Sequence, residues 1–207
     1  MRMTGRWLTI ALLLSCCGFA NAASNGARTE SADLYDGSSY QTELNSITSV
    51  RLHMHDGDFR IIGSDSEEIA IHTEGKNRAL AKKMQVQLKR TGDSLEIDFL
   101  HVPKNEFQVT IAVPKDTNLY ARMRAGDLSV AGVSGDKDLE LTGGDLSIQV
   151  PDPADYGPVD LKVKFGDVSG SPFGDPKGWV GNSLKMDGSG RFRLHAHVFA
   201  GDLMLKP

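Results

Sequence analysis

Cysteine is almost missing from this 207-residue chain: its two cysteines, Cys16 and Cys17, sit side by side near the N-terminus. Past them neither disulfide nor thiolate chemistry is available. Aromatic residues make up 7% and prolines number 8 against 22 glycines, a mix foreign to collagen and to disordered chains. Positive charge is not in excess either. Lys and Arg number 23 against 27 Asp and Glu, a net charge of −4, which removes any global drive toward nucleic acid. Catalytic signatures are lacking too: there is no Gly-x-Ser-x-Gly elbow, no His-Glu-x-x-His and no phosphate-binding glycine loop. Ser134 and Lys137 have the spacing of a Ser-x-x-Lys nucleophile, but they fall in a turn instead of opening a helix. Carboxylate pairs suited to glycosidic cleavage arise by chance among 27 acids, so spacing selects none. The chain reads as non-enzymatic, with no catalytic residue, cofactor or metal assigned.

The longest apolar run, residues 7–17, is short of the about 20 residues that a membrane-spanning helix needs. Arg2 and Arg6 precede it, and Ala20-Asn21-Ala22 follows with the small-x-small pattern of a signal-peptidase site. Residues 1–22 are therefore expected to be an export signal, leaving no transmembrane span in the mature chain. A competing reading takes Leu13-Leu14-Ser15-Cys16 as a lipobox, with Cys16 acylated and retained. The next stretch, 23–45, is rich in Ala, Ser, Asn and Gly and reads as a flexible linker.

From about residue 46 the chain alternates apolar and polar residues over short segments, as strands do. Examples are Val50-Arg-Leu-His-Met, Leu95-Glu-Ile-Asp-Phe and Val109-Thr-Ile-Ala-Val. One short polar stretch, 77–84, is the sole helical candidate. A repeat organises the rest: Gly-Asp before an apolar residue occurs at Gly57-Asp58, Gly126-Asp127, Gly144-Asp145, Gly166-Asp167 and Gly201-Asp202. Aligned on the glycine, four positions form apolar columns. Three residues before it stand Met54, Met123, Leu141, Val163 and Val198. Two after it stand Phe59, Leu128, Leu146, Val168 and Leu203. Only Gly170 breaks the column four residues after the glycine. Two alternating strands thus flank each Gly-Asp corner, with their apolar side chains on one face. The last four copies are 18, 22 and 35 residues apart. These spacings predict an all-β, short single-stranded β-solenoid or β-helix-like fold, with an insertion at 172–190. The first half, with a single good copy, reads as more sandwich-like.

At these columns the chain resembles the bacterial putative-adhesin family, a β-strand-repeat domain of undefined biochemical role. The resemblance rests on Asp56-Gly57-Asp58-Phe59, on Val113-Pro114-Lys115-Asp116, on the Gly-Asp-Leu units from Gly126 onward and on Ala200-Gly201-Asp202-Leu203. It covers about residues 46–207. It implies a solenoid-like fold at the cell envelope and no catalytic residue.

Three groups of side chains are candidate sites. The corner carboxylates Asp58, Asp127, Asp145, Asp167 and Asp202 become neighbours if units stack. A like-charge ladder then needs either a cation such as Ca²⁺ or hydrogen bonds to backbone N–H groups two residues on. The turn bond is the reading preferred. His53 and His55, like His195 and His197, share a strand face, but no third ligand is evident. Arg122, Arg124, Lys162 and Lys164 point outward, with Glu140 and Thr142 between them if units stack in chain order. There Glu140 either bridges Arg122 and Lys162 or leaves a cationic stripe for an anionic ligand. Tyr120, Phe199 and Trp179 are candidate aromatic platforms beside it.

The functional expectation is an exported, adhesin-like binding or scaffolding module of the periplasm or cell surface, free or lipid-anchored. Its partner is an envelope glycan, a lipid headgroup or a protein. The alternatives are a polysaccharide-acting β-helix enzyme and an accessory protein of envelope-stress signalling. A concave groove with converging carboxylates would favour the enzyme, and a shallow, charge-balanced face the module.

Overall fold

In the computed structural model the described residues are 28–33, 39–43, 47–75, 83–103, 106–178 and 181–207, with side chains described from residue 47 onward. Residues 1–22, Cys16 among them, and Trp179 lie outside these segments, as does most of the helical candidate 77–84.

The alternating segments become strands. Within the span read as a linker lie β1 (Arg28–Asp33) and β2 (Ser39–Glu43). Their sequences, Arg-Thr-Glu-Ser-Ala-Asp and Ser-Tyr-Gln-Thr-Glu, hold no apolar alternation, so periodicity does not mark them. Next come β3 (Ser49–Asp56), β4 (Asp58–Ser64), β5 (Glu68–Gly75), β6 (Gln85–Thr91), β7 (Ser94–Leu100) and β8 (Phe107–Pro114). The repeat half holds β9 (Asn118–Ala125), β10 (Leu128–Ala131), β11 (Lys137–Gly143), β12 (Leu146–Gln149), β13 (Tyr156–Phe165) and β14 (Val168–Ser169). Then follow β15 (Asn182–Met186), β16 (Phe192–Ala200) and β17 (Leu203–Lys206). Among the described residues the one helical element is a 3₁₀ turn, Pro153–Asp155.

The fold is all-β, built of two mixed sheets that do not close. One has nine strands in the order β1-β6-β7-β3-β9-β11-β16-β13-β15; the other has eight, β14-β17-β12-β10-β4-β8-β5-β2. Each Gly-Asp corner carries the chain from the first sheet into the second, and the apolar columns fill the space between. Leu52, Ala121, Leu139, Leu161 and Ala196 are all fully buried, as are Ile61, Leu146, Ile148 and Leu203. The pairing follows the repeat alignment: Leu128 lies beside Phe59 and Leu146, and Leu203 beside Leu146 and Val168. Val168, on the edge strand, is half-buried. Gly170 breaks its column where a Cβ would stand 2.3 Å from the Leu205 carbonyl oxygen.

The strand order departs from a solenoid wound in chain order. The five Gly-Asp units stack as first, second, third, fifth, fourth, because β16 lies between β11 and β13, parallel to both. The insertion accounts for it: β15 folds back antiparallel onto the far edge of β13, and the last unit takes the place beside β11. On the other flank β5 and β6 pair antiparallel with β8 and β7, and β2 and β1 add outside them. The strands β7 and β8 make a further unit without Gly-Asp, parallel to β3 and β4. Its connection instead holds His101 and Glu106 at φ of 57° and 53°.

Candidate functional site

Alternation buries one side of each strand and turns the other to solvent, so the outer face of the nine-stranded sheet is a grid of polar side chains. Register fixes the rows. In one, Asp98, His53, Arg122, Glu140, His197 and Lys162 follow one another across β7, β3, β9, β11, β16 and β13. In the row beside it stand Glu96, Arg51, Tyr120, Asp138, His195, Asp160 and Lys185. Each carboxylate in these rows stands beside a basic or imidazole side chain on a neighbouring strand, an arrangement that stabilises a polar sheet face.

The four basic residues singled out in the sequence share this face, but their surroundings differ. Arg122 is committed to two acids: Nη1 donates to Asp138 Oδ1 at 3.1 Å, and Nε lies 3.1 Å from Glu140 Oε2. Arg124 is held by Asp56, with Nε donating to Oδ1 at 3.0 Å and Nη2 to Oδ2 at 2.5 Å. That pairing keeps the Arg124 guanidinium pKa above its ordinary value. Glu140 does not bridge Arg122 and Lys162, because β16 separates β11 from β13 and sets His197 beside Glu140. Lys162 and Lys164, both exposed, have no carboxylate partner among the described residues. The Lys164 ammonium instead lies 4.6 Å from the centroid of the Phe199 ring.

Two shallow grooves flank Glu140 and Thr142. One, of about 310 Å³, is lined by Lys162, Lys164, His197 and Phe199 as well. The other, of about 270 Å³, is lined by His53, His55, Arg122 and Arg124. Phe199 is 48% exposed and Phe165 51%, their rings edge to face with centroids 5.5 Å apart. Both Tyr120 and Phe199 carry a cation over the ring, Arg51 at 4.3 Å and Lys164 at 4.6 Å, but Phe199 is the more exposed of the two. Phe165 was not marked in the sequence, since it abuts the Gly166 corner, where alternation ends.

The four histidines do not converge: β9 and β11 separate β3 from β16. His53 Nε2 lies 3.0 Å from Glu96 Oε1. On β16 the rings of His195 and His197 lie 4.0 Å apart, centroid to centroid. Acids flank them on both sides, Asp160 Oδ1 3.4 Å from His197 Nε2 and Asp138 Oδ1 4.0 Å from His195 Nε2. Burial pushes the His195 imidazole pKa down, and His197 adds to that against the pull of the acids. Burial raises the Asp160 carboxyl, but bonds from Lys185 and His197 outweigh it and hold the group below its usual range. The ligand set judged incomplete from sequence thus gains carboxylates from β11 and β13. Both acids occupy the outward phase of their strands, two residues before Glu140 and Lys162, but their distance from the histidines depends on the strand order.

Three of the five corner carboxylates, Asp127, Asp145 and Asp202, are bonded between units and not within their own turns, and Asp58 takes no part in the series. Asp127 Oδ1 accepts from the Asp145 N–H at 3.3 Å, Asp145 Oδ1 from the Asp202 N–H at 3.0 Å, and Asp202 Oδ1 from the Asp167 N–H at 2.9 Å. Asn182 Nδ2 donates to Asp167 Oδ1 at 2.8 Å and caps the series. At these three corners the turn bond expected two residues on is replaced by one to the N–H of the neighbouring unit.

No family model and no curated protein sequence matches the chain. Among solved structures it is similar to a putative cell adhesion protein from Clostridium sporogenes ATCC 15579, at 12% identity and a TM-score of 0.51, over 87% of this chain and 99% of that one. A putative adhesin from Bacteroides fragilis NCTC 9343 aligns over 83% of this chain and 97% of its own at 7% identity, with a TM-score of 0.30. At 12% identity the first likeness speaks for the fold alone.

Proposed function

We propose that the chain is a non-enzymatic, adhesin-like binding module acting at the cell envelope, and that it takes an anionic glycan at Lys162, Lys164 and Phe199. One observation carries the reading: two lysines without a carboxylate partner among the described residues stand beside an exposed aromatic ring in a shallow groove. Arg122 and Arg124 are each paired with acids, so of the four basic residues the two lysines are the ones left for an anion. The ring offers a flat apolar surface to a sugar, and the ammonium groups offer charge to its carboxylates or sulfates. The carboxylates nearby are engaged by Arg122, Arg124 and Lys185, which favours binding over acid–base chemistry. The likeness to a cell adhesion protein fits a role outside the cytoplasm, where the expected export signal would deliver the chain.

The test is retention on immobilised alginate across a salt gradient. The parent chain should be retained at low salt and released as salt rises, since exposed charges are screened within about 8 Å at physiological ionic strength. Replacing both lysines (Lys162→Ser with Lys164→Ser) should weaken binding about tenfold or more, equivalent to about 1.4 kcal/mol. Phe199→Ala should weaken it as well, while Arg124→Ser should leave it nearly unchanged. Equal retention of the double-lysine variant would reject the site. Release of reducing ends from the polysaccharide would reject the non-enzymatic reading.

A further inference from the structure

A second constellation on the same face is built for a different ligand. His195 and His197 project side by side from β16, and Asp160 projects from the neighbouring β13. One ligating atom from each lies within 4.8 Å of the other two. Around a four-coordinate zinc ion with bonds of about 2.0–2.1 Å, ligand atoms stand about 3.3 Å apart. Asp160 Oδ1 and His197 Nε2, at 3.4 Å, already have that spacing.

We infer that Asp160, His195 and His197 bind one divalent transition-metal ion of the zinc class, clamping β13 to β16. Two imidazoles and a carboxylate suit such an ion, whereas Ca²⁺ and Mg²⁺ prefer all-oxygen shells. Supporting contacts fix the donors. Lys185 Nζ holds Asp160 Oδ2 at 3.1 Å, which leaves Oδ1 turned to the histidines. Such outer contacts orient metal ligands in established sites. The three side chains are about one-third exposed or less, reachable from solvent yet held by neighbours on the sheet. Asp138, on the other side of His195, shares its Oδ1 with Arg122 and serves as that residue's partner instead of as a ligand. Three protein ligands leave a coordination position open to water or to a donor from a bound molecule. The clamp joins the two strands that meet out of chain order, so metal binding is coupled to the docking of the last unit. The inference does not depend on the glycan reading, because its ligands are not the lysines.

The experiment is titration of the purified, tag-free chain with Zn²⁺, read by competition with a chromogenic chelator and by thermal unfolding. One ion should bind per chain, and the unfolding midpoint should rise with Zn²⁺ concentration, as for any ligand specific to the folded state. Asp160→Asn should weaken binding about 10-fold or more, and His195→Gln with His197→Gln should abolish it together with the thermal shift. His53→Gln, on β3, should change neither. Circular dichroism of each variant without metal separates lost binding from lost folding, and Co²⁺ absorption in the visible reports four-coordinate geometry directly. Absence of stoichiometric binding by the parent chain overturns the inference. So does undiminished binding by the folded double-histidine variant, or a loss equal to its own on His53→Gln.

Discussion

Lys137 is fully buried in a column of apolar side chains, paired across the sheet with Leu119 and Leu194. Its ammonium donates to the Tyr156 hydroxyl and to the Gly135 carbonyl oxygen at 3.3 Å. Burial pushes the Lys137 pKa down to about 8, against the pull of Asp136 and Asp155, and the Tyr156 pKa up to about 12. Between pH 8 and about 10.4 the unfolded chain keeps the Lys137 proton that the folded chain has released, so stability should rise with pH across that window. Below pH 8 the folded chain carries a buried charge, at a cost of about 3 kcal/mol. Tyr156 acts in the opposite sense: its contribution is intact below about pH 10 and fades as pH rises toward 12. Urea unfolding should therefore show the contribution of this pair rise above pH 8 and fall again above about pH 10. Lys137→Met should remove the rise above pH 8, while at pH 7 the relief of a buried charge is offset by the Tyr156 hydroxyl and Gly135 carbonyl that lose their donor. Read from sequence as part of a turn, Lys137 instead opens β11, and its inward phase follows from its alternation with Leu139 and Leu141. Its partner Tyr156, which opens β13 two strands away, is not legible in this way.

At the scale of the elements, the corners carry most of the information. Gly144 and Gly201 sit at φ of 116° and 134°, and a Cβ on either would stand 2.0 Å or less from a glycine carbonyl oxygen of the adjacent unit. Gly201→Ala should cost about 3 kcal/mol or more, because strain and collision add. Gly92, at φ of 61° with no atom near its absent Cβ, makes the control. Its alanine variant should lose only about 1–2 kcal/mol. Leu146→Ala, in the fully buried column, should cost about 2–5 kcal/mol. Equilibrium denaturation of the three variants checks the ordering. The repeat gave these corners and columns correctly from spacing alone. The order of units stayed hidden because Leu128, Leu146 and Leu203 are chemically interchangeable, so any unit could sit beside any other. The last unit is displaced by β15, a five-residue strand inside an apparent insertion, whose Leu184 and Met186 pack against the core but which carries no copy of the repeat.

The whole molecule presents one broad polar face on which Arg122 and Arg124 are paired with acids while Lys162 and Lys164 are not. Alternation placed Arg122, Arg124, Lys162 and Lys164 on that face. It did not show which of them remain available, since that depends on Asp56 and Asp138 reaching across strands. Among the described residues no helix is long and apolar enough to cross a membrane. The position of the last unit has a kinetic consequence. When the chain has been synthesised as far as β15, the fourth unit has β15 on one side and no lasting neighbour on the other. If it pairs early with β11, that contact must break to admit β16. Folding of the C-terminal half should then be slow and concerted instead of proceeding strand by strand behind the growing chain, as expected where pairings are distant in sequence. Hydrogen exchange during refolding should show β9 to β12 protected first, with β13, β16 and β17 gaining protection together. A chain cut after Gly190 should lose protection in β13 along with the strands removed.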